Sequence, residues 1–134
     1  MSLAIFDLDN TLLGDDSDYL WGQFLVEQGL VDGEFYEREN QRFYDAYRAG
    51  TLDIHAFLAF MLRPLTEHPP AQLLDWRARF IAEKIEPIIL PKALALLERH
   101  RAVADTLVII TATNSFITTP IAERLGVPNL LATE

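Results

Sequence analysis

The chain has 134 residues, half of them apolar, and its 20 acidic against 11 basic side chains give a formal charge of −9. That size predicts one folded domain, the apolar fraction excludes a disordered chain, and the acidic balance argues against nonspecific nucleic-acid or anionic-membrane partners. The absence of cysteine excludes disulfides, thiolate metal sites and a cysteine nucleophile, and no apolar run approaches a membrane span, so stable membrane insertion is not expected and a cytoplasmic protein is.

The run Leu3 to Leu8 is short, apolar and bounded by acids, which predicts a buried strand ending near Asp7. Four amphipathic helices follow. Ser17 or Asp18 can cap the first, which carries the pairs Leu20/Phe24 and Trp21/Leu25 and ends at Gly29. Asp32 can cap the second, with Tyr36, Phe43 and Tyr47 on one face and Gly50 behind it. Asp53 can cap the third, which carries Ile54, Phe57, Leu58 and Met61 and should stop at Pro64. Pro69-Pro70 opens the fourth, with Leu74, Ala78, Ile81 and Ile85 in register up to Pro87. Pro91 begins a fifth helix to about Arg101, and Thr106 to Thr111 is a β-branched, apolar run that marks a strand covered on both faces. Thr119-Pro120 and Gly126 bracket a last helix before a weaker strand from Pro128 to Thr133. The pattern predicts an α/β fold: a Rossmann-like parallel sheet from residues 1–14 and 87–134, interrupted by a four-helix bundle over 15–86.

The first strand delivers Asp7-Leu8-Asp9-Asn10-Thr11, and strand alternation sends Asp7 and Asp9 the same way at its carboxyl end, where ligands of parallel sheets sit. Crowded carboxylates attract a hard divalent cation such as magnesium (Mg²⁺), and they suit a division of labour in which one attacks phosphorus while the other moves protons. The second strand ends Thr111-Ala112-Thr113-Asn114, bringing a hydroxyl and backbone N–H groups that suit a phosphate to the same edge.

Asp-Leu-Asp-Asn-Thr-Leu after an N-terminal strand, a helical insert, and Thr-Ala-Thr-Asn after a second strand resemble the haloacid dehalogenase (HAD) superfamily of phosphatases, in particular the subgroup with a four-helix cap that includes phosphoserine phosphatase. The resemblance implies a Mg²⁺-dependent phosphatase working through an aspartyl phosphate. Asp7 is then nucleophile and metal ligand, Asp9 is acid/base and binds Mg²⁺ through its backbone carbonyl, and Thr111 to Asn114 hold the phosphoryl group of a small phosphorylated substrate. The second Asp points to phosphomonoester hydrolysis or phosphoryl transfer, since dehalogenases of the superfamily lack it. The family pattern also has a later Lys and an acidic pair that completes the metal site, and neither occurs before Glu134. The expectation is therefore a fragment. Alone, it should bind Mg²⁺ weakly, hydrolyse negligibly, and either self-associate through its first strand or require the remaining motifs.

Other residues have simpler readings. Asp15, Asp16 and Asp18 read as caps and solvent-facing charge, His55, His68 and His100 as surface or helix-end residues without metal spacing, and Trp21, Phe24, Phe43 and Tyr47 as bundle core. A calcium loop fits poorly, because Leu12 and Asp18 stand where an EF-hand needs Gly and Glu. Two alternative functions are a receiver-like phosphoacceptor and a helical interaction module on a degenerate core. Receivers, however, place an adjacent acid pair on strand one and have no room for a cap. The stretch from Ile54 to Leu62 holds no cation before Arg63, which argues against phosphoserine and toward a more apolar phosphomonoester, a lipid phosphate included. The oligomeric state leaves no signal in the sequence.

Overall fold

A computed structural model describes residues 2–133; Met1 and Glu134, at the ends of the expected core ranges, lie outside them. The elements in order are β1 (Leu3–Asp7), α1 (Ser17–Glu27), α2 (Gly33–Ala49), α3 (Ile54–Thr66), α4 (Pro70–Phe80), α5 (Pro91–Ala102), β2 (Thr106–Asn114), α6 (Ser115–Leu125) and β3 (Asn129–Thr133). The three strands form one parallel sheet in the order β1-β2-β3, with Asp7 opposite Ile110 and Ile109 opposite Leu130. Among the described residues no helix is long and apolar enough to cross a membrane.

The chain divides into two compact units, one built from the segments through Leu20 and from Arg77 onward, the other Trp21–Trp76. The helical unit is narrower than the expected 15–86 because both chain passages at its border are tied to the sheet unit. Gly14 N–H donates to Ile88 O at 2.8 Å, Leu90 N–H donates to Leu12 O at 3.2 Å, and Ser17 bonds to Asp9.

In the sheet unit, alternate residues Ala4, Phe6 and Leu8 of the first segment and Leu107 and Ile109 of β2 are buried with Leu97, Ile117 and Ile121. Each of the Leu, Ile and Phe side chains among them, taken fully from water, contributes about 1.5–3 kcal/mol. The other sheet face is open: Leu3 is 60% and Ile5 56% exposed, and Ile110 and Leu131 are exposed as well. The expectations of a buried first strand and of a second strand covered on both faces are thus each met on one face only among the described residues. His100, at the end of α5, holds Asp105 just before β2 at 2.7 Å, and this contact keeps the Asp105 carboxyl below its ordinary range.

In the helical unit, Asp32 and Asp53 cap α2 and α3 as their side chains accept from Phe35 N–H and from His55 and Ala56 N–H. The apolar face is aromatic: Tyr36 packs on Phe60 at 4.9 Å between ring centres, and Phe43 touches Phe57 and Phe60. Tyr47 is exposed, so the buried face of α2 stops at Phe43.

Three departures from sequence expectation concern helix ends and registers. Pro64 does not stop α3, which runs on to Thr66. The buried residues of α4 are Leu73, Trp76 and Phe80 rather than Leu74 and Ala78, and a wide π turn over Ile81–Ile85 then resets the register so that Ile85 is buried. The last helix begins at Ser115 rather than Thr119, because Asn114 caps it by accepting from Ile117 N–H at 3.1 Å, and Pro120 therefore lies inside α6.

An interior proline leaves the carbonyl four residues earlier without its helical donor. For Pro120 that carbonyl is Phe116 O, and Arg77 donates to it at 3.1 Å while its guanidinium lies over the Phe116 ring at 4.8 Å. Arg77 thus replaces the hydrogen bond that Pro120 cannot make. Arg77→Met should cost about 1–2 kcal/mol of stability by denaturant unfolding. The cost should shrink when Pro120→Ala restores the helical N–H, whereas strictly additive effects would contradict this pairing.

Candidate functional site

β1 ends at Asp7, and the chain turns sharply because Leu8 O accepts from three successive N–H groups, those of Thr11, Leu12 and Leu13, at 3.0 to 3.3 Å. Asn10 takes the left-handed conformation at φ 57°, which Asn tolerates better than most residues, and donates to Asp15 O. Asp7 is exposed at this corner. One of its oxygens accepts from Leu8 N–H at 2.9 Å, and the other has only a long contact with the Thr11 hydroxyl at 3.5 Å.

Asp9 lies two residues beyond Asp7 and is held differently. Its Oδ1 accepts from Ser17 N–H at 2.8 Å and from Ser17 Oγ at 2.6 Å. Its Oδ2 accepts from Thr113 Oγ1 at 2.7 Å and, more weakly, from Thr111 Oγ1 at 3.4 Å. The ends of the two strands therefore meet at one carboxylate.

β2 is longer than expected, running through Asn114 with an irregularity after Ile110. This changes the setting of the four residues expected to hold phosphate. Thr111 is buried, and its hydroxyl accepts from Thr113 N–H at 3.1 Å. The Thr113 hydroxyl is engaged on Asp9, and the Asn114 side chain is engaged as the α6 cap, so neither side chain points at a ligand here. Ala112 is exposed.

Asp16 takes one of the cap roles expected of the acids at 15, 16 and 18, and Ser17 gains a role that the sequence reading did not assign. Asp16, not Ser17 or Asp18, caps α1, its side chain accepting from Tyr19 N–H at 3.0 Å. Ser17 is fully buried against Asp9. The signal for this was a serine directly after an equally good capping residue: with Asp16 taking the cap, the Ser17 hydroxyl is available elsewhere.

Burial raises the carboxyl of Asp16, with the nearby charges of Asp9 and Asp15 adding to the effect. Burial pushes Asp18 up to about 7, reinforced by the charges of Asp16 and Asp9 and opposed by a hydrogen bond with Thr113. Its Oδ1 is buried with no hydrogen-bond partner among the described residues. Asp18 is therefore not the solvent-facing charge expected from sequence. Among the described residues no three carboxylate or imidazole side chains gather into a metal cage.

The sequence matches the family of haloacid dehalogenase-like hydrolases over residues 4–134. It is 43% identical over 133 residues to a histidinol-phosphatase of Neisseria meningitidis serogroup C (strain 8013), covering 99% of this chain and 60% of that protein. A Bordetella pertussis Tohama I protein with unknown function superposes with a TM-score of 0.91 at 39% identity, over 98% of this chain and 59% of that one. A phosphoserine phosphohydrolase-like protein from Francisella tularensis subsp. tularensis SCHU S4 has the same fold at 18% identity and a TM-score of 0.66, over 98% and 58% of the two chains. The chain thus spans about three-fifths of the length of these relatives.

The raised carboxyl of Asp18 makes stability depend on pH. A group with its folded pKa above its unfolded value of 3.8 contributes stability that is complete below 3.8 and lost as pH rises through about 7. Asp18→Asn, which cannot ionise, should therefore gain melting temperature over the wild type at about pH 8 relative to about pH 5. A melting difference that stays constant across that window would contradict the burial of this carboxyl.

Proposed function

Because the chain belongs to the family of haloacid dehalogenase-like hydrolases, we propose that the full-length protein is a Mg²⁺-dependent phosphomonoester hydrolase, with Asp7 as nucleophile and Asp9 as acid and base. The observation that carries this reading is the meeting of Asp9 with Thr111 and Thr113 beside an exposed Asp7, which joins the ends of β1 and β2 into one polar corner.

An Asp7 oxygen attacks phosphorus and the ester P–O bond breaks, while Asp9 gives its proton to the departing alkoxide. The product is an aspartyl phosphate on Asp7. Asp9, now ionised, takes a proton from the water that attacks phosphorus. The bond to Asp7 then breaks, inorganic phosphate leaves, and both side chains return to their starting states. The Thr111 hydroxyl and the Ala112 N–H bind phosphoryl oxygens, while the Thr113 N–H holds the Thr111 hydroxyl in place.

The Asp7 carboxylate and the Asp9 backbone carbonyl are hard oxygen donors of the kind Mg²⁺ takes, and that ion needs only one or two carboxylates from the protein. Bound there, Mg²⁺ supplies positive charge that lowers the repulsion between the Asp7 carboxylate and the phosphoryl oxygens. The substrate is a small phosphomonoester. The Neisseria relative's name suggests one of the histidinol phosphate kind.

Asp7→Asn in the full-length protein should lower turnover of p-nitrophenyl phosphate by about 10³-fold or more with the melting temperature nearly unchanged, since the substitution alters charge at constant size. Chelation of Mg²⁺ should abolish wild-type turnover, and added Mg²⁺ should restore it. A variant that keeps its activity, or a wild type indifferent to chelator, would overturn the assignment.

A further inference from the structure

We propose that Ser17 is a positioning residue, which together with Thr113 clamps the Asp9 carboxylate in the orientation needed for proton transfer; this rests on the phosphatase reading above. Asp9 lies past the last residue of β1, in the turn that contains left-handed Asn10, so the β-ladder does not fix its side chain. Its orientation depends instead on donors from elsewhere. Ser17 grips Oδ1 at two points, N–H at 2.8 Å and Oγ at 2.6 Å, and Thr113 grips Oδ2 at 2.7 Å. Ser17 Oγ and Thr113 Oγ1 are themselves 3.4 Å apart, closing a ring of three side chains.

Both hydroxyls are buried, Ser17 fully and Thr113 with 3% exposure, so water does not replace either donor readily. Each oxygen of Asp9 has its own donor, and turning the carboxylate about its Cβ–Cγ bond breaks contacts on both sides at once. The clamp also spans the fold. Ser17 is the first residue of α1, and Thr113 is near the end of β2. A general acid works only within hydrogen-bond reach of the atom that takes its proton, and a small misplacement costs about 10²-fold in rate. Losing one jaw should therefore slow the proton-dependent step while leaving substrate binding in place.

The test compares phenyl phosphate with p-nitrophenyl phosphate in the full-length protein. The two share a shape, but the phenolate leaves far less readily without a proton. In Ser17→Ala, the rate of the first phenol release should fall about 10- to 100-fold, with the p-nitrophenol burst changed by less than about 3-fold and KM nearly constant. Thr113→Val should show the same split, and Thr113→Ser, which keeps the hydroxyl, should restore the phenyl phosphate rate. Equal losses on both substrates, a change confined to KM, or no loss in either variant would overturn the clamp. Asp7→Asn, run alongside, separates the two levels: if it remains active, the phosphatase reading itself fails. If it is inactive while Ser17→Ala loses both substrates equally, only the positioning role fails.

Discussion

The parallel pairing of β1 with β2, Asp7 opposite Ile110, brings the site residues together. Two parallel strands cannot be joined by a tight turn, so the chain between them is free to be long, and here it forms the helical unit. Parallel strands also finish at the same edge. That is how Asp9 reaches hydroxyls 102 and 104 residues away in sequence, and why neither strand end makes the polar corner alone. The turn after β1 and the irregularity late in β2 then adjust the two ends until donor and acceptor meet.

Five acids between positions 7 and 18 create a local charge problem in a chain that is already acidic. The structure gives each acid near the corner a different environment. Asp7 is exposed to solvent; Asp9 is satisfied by close donors on both oxygens; Asp16 neutralises the start of α1; Asp18 is half-buried with its Oδ1 enclosed, where its charged form is disfavoured. Similar side chains thus acquire different chemistry from their surroundings. The arrangement keeps one exposed carboxylate beside one that is rigidly held.

Much of this was legible in the sequence because the signals are local. The apolar runs at Leu3 and Thr106, the Asp32 and Asp53 caps and the Gly50 and Gly126 stops each depend on a few adjacent residues. Other features depend on contacts that sequence spacing does not encode. Pro120 reads as a helix start because proline suits a first turn, yet Arg77 from a distant segment satisfies the carbonyl that proline leaves open, and α6 begins earlier. The face of α4 was misplaced by one residue because the π turn after it breaks the regular period. At the site, the two strand ends that carry Asp7 and Thr111 were legible from the apolar runs before them, but Asp9 lies in the turn beyond β1, so strand alternation does not set its direction. Ser17 was not legible, since its role appears only once Asp16 has taken the helix cap.

The account turns on Asp7 as the atom that accepts the phosphoryl group while Asp9 stays unmodified. The most direct measurement is rapid acid quench of the full-length protein during turnover, followed by peptide mapping of the trapped phosphorylated species. The account predicts an acid-stable, base-labile phosphoryl group on the peptide containing Asp7, at Asp7 itself. A phosphoryl group on Asp9, on a threonine of β2 or on any histidine would contradict it, as would turnover at full rate with no phosphorylated protein at any time point.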